Sequence, residues 1–352
     1  MRLMLYGLGD LGERIAYQLV PQLAATDALC VASRSLSSVH EVYHMVRMLR
    51  ESVGRGPELS WATWDLDHTE SAIQNIERFA PNALIFTATR LTWWKVQELG
   101  RDDLLSQAGF GIWYPVHADL LLKMAKILSH LQRVPWLVVG PYPDVTAPVL
   151  KARGFDKIIG FGNVDELAMV AQIQHPTADE VRLIAHHSLE SRLFANRPLP
   201  PYLLQVKEAG VWRPSTLSRP FLWPTGTRSH VWTAASAVRT VLALLGDAVQ
   251  SIHVPGPNGL AGGYPCKVGR RCVELNLPPG ISEERAVGVN IRAMEYDGIR
   301  AIGSDGTVAF TNVAQDALNR IFGVSWSEVP PHQVGAAADL LVDRFEASRR
   351  ER

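Results

Sequence analysis

The 352-residue sequence predicts an α/β protein, with a doubly wound parallel sheet first and a mixed α+β arrangement after it. Three observations lead to this prediction. Short apolar segments alternate with helix-patterned segments over roughly the first third of the chain. A glycine-rich turn joins the first apolar segment to the first helix. Towards the C-terminus, short strand-like segments are separated by glycine turns instead of helices. We therefore expect a first domain at residues 1–145 and a second, substrate-binding domain at residues 146–352.

The first part of the chain contains five apolar segments of strand length. They lie at residues 3–6, 28–32, 60–64, 83–88 and 136–139. Helical periodicity is found at residues 13–23, 39–51, 70–79, 95–107 and 115–131. Strands that alternate with helices form parallel sheets through right-handed crossovers, and ligands bind at the carboxyl ends of such strands. The residues that follow each strand should therefore meet in one crevice.

Composition excludes several classes of protein. Hydrophobic residues make up 47% and charged residues 20%, which is enough apolar material for a sizeable core. Lys+Arg and Asp+Glu both number 35, so no overall basic field attracts nucleic acid or an anionic membrane. The three cysteines form no CxxC motif, so neither a disulfide framework nor a metal site is predicted. We expect a cytoplasmic protein with no nucleic-acid or membrane partner.

The glycine-rich turn has the spacing GxGxxG between a strand and a helix, the setting in which this motif binds a dinucleotide. Gly7 permits the tight turn, Gly9 lets the backbone approach a pyrophosphate, and Gly12 lets helix and strand pack closely. The helix N-terminus then offers free N–H groups to the phosphates. The alternative is a glycine-rich turn without a ligand. The predicted cofactor-binding residues of this crevice are Gly7, Leu8, Gly9, Asp10, Leu11 and Gly12, with Thr87, Ala88 and Thr89 at the exit of the fourth strand.

The second strand ends in Ser33-Arg34-Ser35, which bears on the choice of dinucleotide. Proteins that bind NAD usually place Asp or Glu here, on the ribose hydroxyls. An Arg between two hydroxyl residues suits a 2′-phosphate instead, because a guanidinium and two hydroxyls can all donate hydrogen bonds to it. The sequence therefore favours NADP, with NAD as the second choice. The alternative is that Arg34 is simply a solvated surface residue.

The order of the motifs resembles, remotely, the L-lactate/malate dehydrogenase family over residues 3 to about 303. Beyond the glycine turn, the resemblance depends on the order and spacing of seven segments. Five are ALIFTA at 83–88, GRDDLL at 100–105, PDVT at 143–146, GFGNVDELA at 160–168 and LIAHHS at 183–188, and the others are a helix-like segment at 231–243 and strand-like segments at 262–278. The resemblance implies a Rossmann dinucleotide-binding domain, an NAD(P)-dependent dehydrogenase activity and assembly as a homodimer or homotetramer.

The resemblance also implies catalytic roles for three residues. His187 would be the acid/base that exchanges a proton with the substrate oxygen, Asp165 would accept a hydrogen bond from its other ring nitrogen, and Arg101 would polarise the carbonyl from a closing loop. His186 is a rival for the acid/base role, and a buried structural His is the alternative for both. Arg101 could equally be a solvated residue.

Departures from the family pattern affect the predicted substrate. Ala168 occupies the position where the resemblance implies an Arg that binds the substrate carboxylate. A plain 2-keto acid is therefore disfavoured, and Arg182, Arg192 and Arg228 are candidates for a different anion contact. The predicted function is an NADP-preferring oxidoreductase for a small polar carbonyl or hydroxyl compound in a specialised biosynthetic pathway. The alternatives are an opine-type imine reductase and a non-catalytic NAD(P)-binding sensor or scaffold. Residues 196–228, rich in Pro, Trp and Arg, predict irregular chain that is either a lid or a surface loop.

Overall fold

The computed structural model describes residues 1–96, 108–219 and 226–350, and its first part is built on one six-stranded parallel sheet. The strand order is β3-β2-β1-β4-β5-β6, the order of a Rossmann sheet, so the predicted fold class is confirmed. Its strands are β1 Arg2–Tyr6, β2 Ala28–Ser33, β3 Glu58–Thr63, β4 Ala83–Phe86, β5 Trp136–Val139 and β6 Ile158–Gly160. Strand β6 belongs to this sheet, so the sheet continues past residue 145. The domain boundary predicted at residue 145 stays a prediction.

Helices cover both faces of this sheet, with α1 Asp10–Leu19 and α2 Leu36–Val53 on one face and α3 Thr69–Phe79, α5 Tyr114–Leu128 and α6 Pro143–Ala152 on the other. The short helix α4 Trp93–Val96 follows β4, and α7 Asn163–Gln174 packs instead against strands of the second part. The central strand β4 is apolar throughout, and β1 is apolar or aromatic after Arg2, because both faces of the sheet are buried; Leu3, Met4 and Leu5 are all 0% exposed. Helix α2 begins where the Ser35 hydroxyl accepts the Ser38 N–H, and it ends at Gly54, whose φ is 71°.

The second part contains three small antiparallel sheets. Their strands are β7 Glu180–Ile184, β8 Leu203–Glu208, β9 Val211–Ser215, β10 Gln250–Pro255, β11 Gly263–Gly269, β12 Cys272–Leu275, β13 Ile299–Ile302, β14 Val308–Phe310 and β15 Glu328–Val329. The helices are α8 His187–Phe194, α9 His230–Leu245, α10 Glu283–Met294, α11 Asn312–Phe322 and α12 Val334–Arg350. This confirms the predicted mixture of helices and antiparallel strands. The last helix, α12, returns to pack against α5 of the first part.

The prediction of irregular chain at residues 196–228 is wrong for residues 203–215, which form two strands and the turn between them. Strands β8 and β9 pair as an antiparallel hairpin, and the turn between them contains Ala209 and Gly210 with positive φ. Leu204 and Val206 are buried on one face of β8, which is the period-2 pattern of a half-buried strand. The proline-rich flanks obscured this short alternation in the sequence.

Candidate functional site

The glycine turn has the tight geometry that a dinucleotide loop requires. Gly7 has φ of 105°, and a Cβ there would lie 2.6 Å from the Ala88 nitrogen and 2.7 Å from Thr87 Oγ1. A Cβ at Gly12 would overlap the Gly7 carbonyl oxygen. At Gly9, by contrast, a Cβ would meet nothing within 4 Å, so the backbone there faces open space. The first and third glycines are needed for packing, and the second leaves room for a ligand.

Helix α1 starts beside this open space with its first amide groups uncapped by any side chain. Asp10, in its first turn, would repel a diphosphate if its charge were free. Its carboxylate instead accepts a hydrogen bond from Arg14 Nε at 2.8 Å and pairs with His230 Nδ1 at 2.7 Å. Partial burial works to raise the pKa of Asp10, but these two partners outweigh it and lower the pKa overall. The residues around the turn therefore fit an anionic group at the helix N-terminus.

The end of β2 presents hydroxyl groups and one guanidinium. Ser35 Oγ caps α2 and lies 2.9 Å from Ser37 Oγ and 3.1 Å from Ser38 Oγ. The side chain of Arg34 is exposed and has no hydrogen-bond or ion-pair partner among the residues that the structure describes. Strand β2 neighbours β1, so this group lies one strand away from the glycine turn, on the side where the adenosine end of a Rossmann ligand binds.

The exits of β4 and β5 lie on the other side of the glycine turn. Thr87 Oγ1 donates to the Gly7 carbonyl at 2.6 Å, and Gly140 N–H donates to the Phe86 carbonyl at 2.9 Å. Arg90 contacts Asp119 at 2.9 Å and also pairs with Asp339, which ties this loop to α5 and α12. The predicted polarising residue Arg101 lies outside the described residues.

His187 is the first residue of α8, and its side chain forms an aspartate–histidine pair. Its Nδ1 lies 2.8 Å from Asp297 Oδ2, and its backbone N–H donates to Asp144 Oδ1 at 2.9 Å. Asp144 lies in the first turn of α6, directly beyond β5, so it holds His187 at the edge of the sheet that carries the glycine turn. The predicted pairing with Asp165 is wrong, because that carboxylate is bound to Arg239. The spacing between residues 165 and 187 did not reveal this competing partner.

Asp297, which the sequence analysis missed, is the centre of a buried network. It is 0% exposed and also accepts a hydrogen bond from the Tyr142 hydroxyl at 2.6 Å and from the Phe110 N–H at 3.0 Å. A Cβ at Gly109 or Gly111 would overlap or crowd the Asp297 backbone, so these two glycines allow the close approach. The network joins four segments that are distant in sequence, those of Phe110, Tyr142, His187 and Asp297.

The electrostatics single out His187 as the cationic ring of the site. Burial by itself lowers its pKa, but the charges of Asp297, Asp144 and Glu190 outweigh burial and raise it from 6.5 to about 9. The reverse holds for His117, where burial and the charge of His187 lower the pKa to about 3.

The neighbouring His186 is neutral. Burial lowers its pKa, and its Nδ1 accepts the Ser188 N–H at 3.2 Å. His186 is therefore a poorer proton donor than His187.

Two further carboxylates were also missed: Glu190, which lies near His187, and Glu166, which lies near Glu190. Glu190 follows His187 by three residues on α8, so both lie on one helix face. Glu166 lies in the first turn of α7 and accepts the Thr233 hydroxyl at 2.8 Å. The i, i+3 spacing of His187 and Glu190 was a signal in the sequence that could have pointed to one of them.

The Arg residues considered as replacement anion ligands are largely engaged elsewhere. Arg182 binds Glu180 at 2.8 Å and stacks on Trp212 at 4.4 Å. Arg192 donates to the carbonyls of Tyr296 and Pro198. The side chain of Arg228 is exposed. Ala168 is buried in α7.

Comparison with known proteins identifies the fold. The chain is similar to the apo structure of malate dehydrogenase from Picrophilus torridus, with a TM-score of 0.54 and 15% identity over 84% of this chain and 97% of that one. It is also similar to malate dehydrogenase from Plasmodium falciparum, with a TM-score of 0.52 and 9% identity over 91% of this chain and 99% of that one. No family model and no curated protein matches the sequence. The predicted resemblance is thus confirmed as a malate-dehydrogenase-like fold at low identity.

Within the described ranges, no helix is long and apolar enough to cross a membrane. The same residues contain no cluster of three or more His, Cys, Asp or Glu side chains arranged to hold a metal ion.

Proposed function

We propose that the protein is an NADP-preferring oxidoreductase that transfers a hydride between the nicotinamide and a small polar carbonyl or hydroxyl compound. The observation that carries this proposal is the His187–Asp297 pair, held by Asp144 at the end of β5. Gly7 and Gly12 shape the neighbouring ligand loop at the end of β1, along the same edge of the sheet. A proton donor beside a Rossmann crevice is the arrangement that carbonyl reduction requires.

The residues at the ends of β1 and β2 fit the diphosphate and the 2′-phosphate of the proposed cofactor. Gly9 leaves space for the diphosphate, the uncapped amides of α1 would donate to it, and Arg34 with Ser33 and Ser35 would hold the 2′-phosphate. When bound, NADPH would supply the two-electron chemistry as the hydride donor for the carbonyl carbon.

The chain's own part in the reaction is the transfer of one proton. His187 would donate its Nε2 proton to the carbonyl oxygen as the carbon receives the hydride, which yields the alcohol and a neutral imidazole. Nε2 has no hydrogen-bond partner among the described residues, and the His187 side chain is 16% exposed, so this nitrogen is available. Asp297 fixes the proton on Nδ1 and stabilises the imidazolium before transfer. Because the pKa of His187 is about 9, the ring is protonated at neutral pH and favours reduction over oxidation.

Reduction of an imine is the second candidate, and the acidic surroundings of His187 favour it. An iminium ion carries positive charge at the carbon that accepts the hydride, and Asp144, Glu190 and Asp297 all lie near the His187 ring. The same hydride geometry would serve both reactions. The third candidate function is a non-catalytic NAD(P)-binding sensor or scaffold.

Assembly, location and physiological role are further parts of the proposal. Exposed apolar side chains on α2, among them Met45 and Met48, would be covered in a homodimer or homotetramer. We also propose a cytoplasmic enzyme of a specialised biosynthetic pathway. Light scattering on the purified protein tests the assembly.

The function is tested by dinucleotide binding and turnover. Fluorescence titration should show tighter binding of NADPH than NADH, and NADPH should be oxidised with members of a panel of aldehydes, ketones and amine–carbonyl mixtures. Binding without oxidation across the whole panel would support the sensor alternative. Absence of binding of both dinucleotides at millimolar concentration would overturn the proposal.

A further inference from the structure

The acidic groups beside His187 differ in how many hydrogen bonds they accept. Asp297 accepts three, from His187, Tyr142 and the Phe110 N–H. Asp144 accepts two, from the His187 N–H and from Asn163 Nδ2 at 3.2 Å. These two carboxylates are therefore occupied by the protein itself.

Glu166 and Glu190 accept fewer hydrogen bonds from the protein than Asp297 and Asp144 do. Glu166, which is only 3% exposed, accepts one hydrogen bond, from Thr233. The Oε2 atom of Glu190 is buried and has no hydrogen-bond partner among the described residues. A buried acceptor without a partner is costly, so its presence beside a candidate active site indicates that a ligand supplies the missing donor.

The protonation of this pair indicates what kind of donor is missing. Burial raises the pKa of Glu190 to about 7, and burial together with Glu190 and Asp165 raises the pKa of Glu166 despite the Thr233 hydrogen bond. The groups that face Glu190 are His187, which lowers its pKa, and Asp144 and Asp297, which raise it. A proton held between acidic neighbours can be replaced by another cation that also donates hydrogen bonds.

We propose that the substrate carries a protonated amine, which Glu166 and Glu190 bind while His187 faces the reacting carbon. This inference rests on the proposed function and specifies its substrate class as an amine-bearing carbonyl or imine compound instead of a dicarboxylic acid. Thr233 positions the Glu166 carboxylate. The i, i+3 spacing on α8 places the acid/base His187 and the amine-binding Glu190 on one helix face. Binding of the ammonium group displaces the proton held by the glutamate pair.

The test uses n-butylammonium and butyrate as matched probes, titrated calorimetrically into the protein with and without NADPH. We expect the amine to bind and the carboxylate not to bind. At pH 6.5, calorimetry in two buffers of different ionisation enthalpy should show that amine binding releases protons. Glu190→Gln and Glu166→Gln should each weaken amine binding about 10- to 100-fold, whereas Glu284→Gln, an exposed glutamate of α10, should leave it unchanged.

The inference is overturned if butyrate binds better than the amine, or if both glutamine variants bind the amine as the parent protein does. Far-UV circular dichroism and a Tm close to that of the parent protein show that the variants are folded. If the amine binds through Glu190 but neither dinucleotide binds, the cation site stands and the proposed oxidoreductase function fails. If NADPH is oxidised with uncharged carbonyl compounds while the amine does not bind, the function stands and this inference fails.

Discussion

His187 and Asp297 are 110 residues apart in the sequence, yet their side chains hydrogen-bond, with 2.8 Å between Nδ1 and Oδ2. The bond joins the start of α8 to the short helical turn Glu295–Asp297 that follows α10. Tyr142, from the turn that follows β5, donates its hydroxyl to the same carboxylate oxygen, so it links the pair in the second part of the chain to the first part. The proposed proton donor thus depends on three separate segments being packed together.

Replacing Asp297 with Asn should lower the pKa of His187, because burial then acts without its strongest opposing charge. We expect reduction at pH 7.5 to slow by about 10- to 100-fold and its alkaline limit to move to lower pH. The measurement is kcat/KM against pH. Unchanged pH dependence in a folded variant would show that Asp297 does not act through His187.

Under the proposed function, the parent protein should reduce its substrate well below pH 9 and lose this activity as the pH rises through about 9. The reduction rate falls with rising pH because reduction needs the protonated imidazole, and the acidic neighbours keep His187 protonated up to about pH 9. Oxidation of the alcohol should show the opposite trend. Initial rates in both directions from pH 6 to 10 test this, and a reduction rate that rises through pH 9 would contradict it.

His187→Ala should reduce turnover by about 10²- to 10⁴-fold with little change in NADPH affinity, because in the proposed reaction the residue donates a proton to the substrate oxygen. His186→Ala is the matched comparison, since His186 is neutral and 1% exposed. Its effect should fall mainly on stability, measured as Tm. A mild effect at His187 together with a severe loss of turnover at His186 would transfer the acid/base role to the neighbour.

Arg34→Asp should weaken NADPH binding by about 10- to 100-fold and leave NADH binding much less affected. The reason is that the exposed guanidinium, uncommitted among the described residues, would meet only the 2′-phosphate. Dissociation constants for both dinucleotides give the answer. Equal losses for the two would remove the argument for NADP preference.

Two glycine substitutions should separate packing from ligand binding. Gly9→Ala should keep the Tm close to that of the parent and weaken dinucleotide binding, because the added methyl meets no protein atom within 4 Å. Gly12→Ala should lower the Tm, since its methyl overlaps the Gly7 carbonyl. Thermal unfolding and NADPH titration of both variants make the comparison. A Gly9→Ala variant with full affinity would show that no ligand approaches this backbone.

The sequence by itself determined the Rossmann sheet and its glycine turn. These features are local, because an apolar run buried on both faces indicates a strand and GxGxxG between strand and helix is a short contiguous motif. The candidacy of His187 came from the family resemblance of the surrounding segment. Only the tertiary structure decided that Asp297, and not Asp165, pairs with His187, because Arg239 binds Asp165 and a glycine-flanked Phe110 closes over Asp297. Such contacts depend on how segments far apart in sequence pack, and neither periodicity nor spacing encodes that packing.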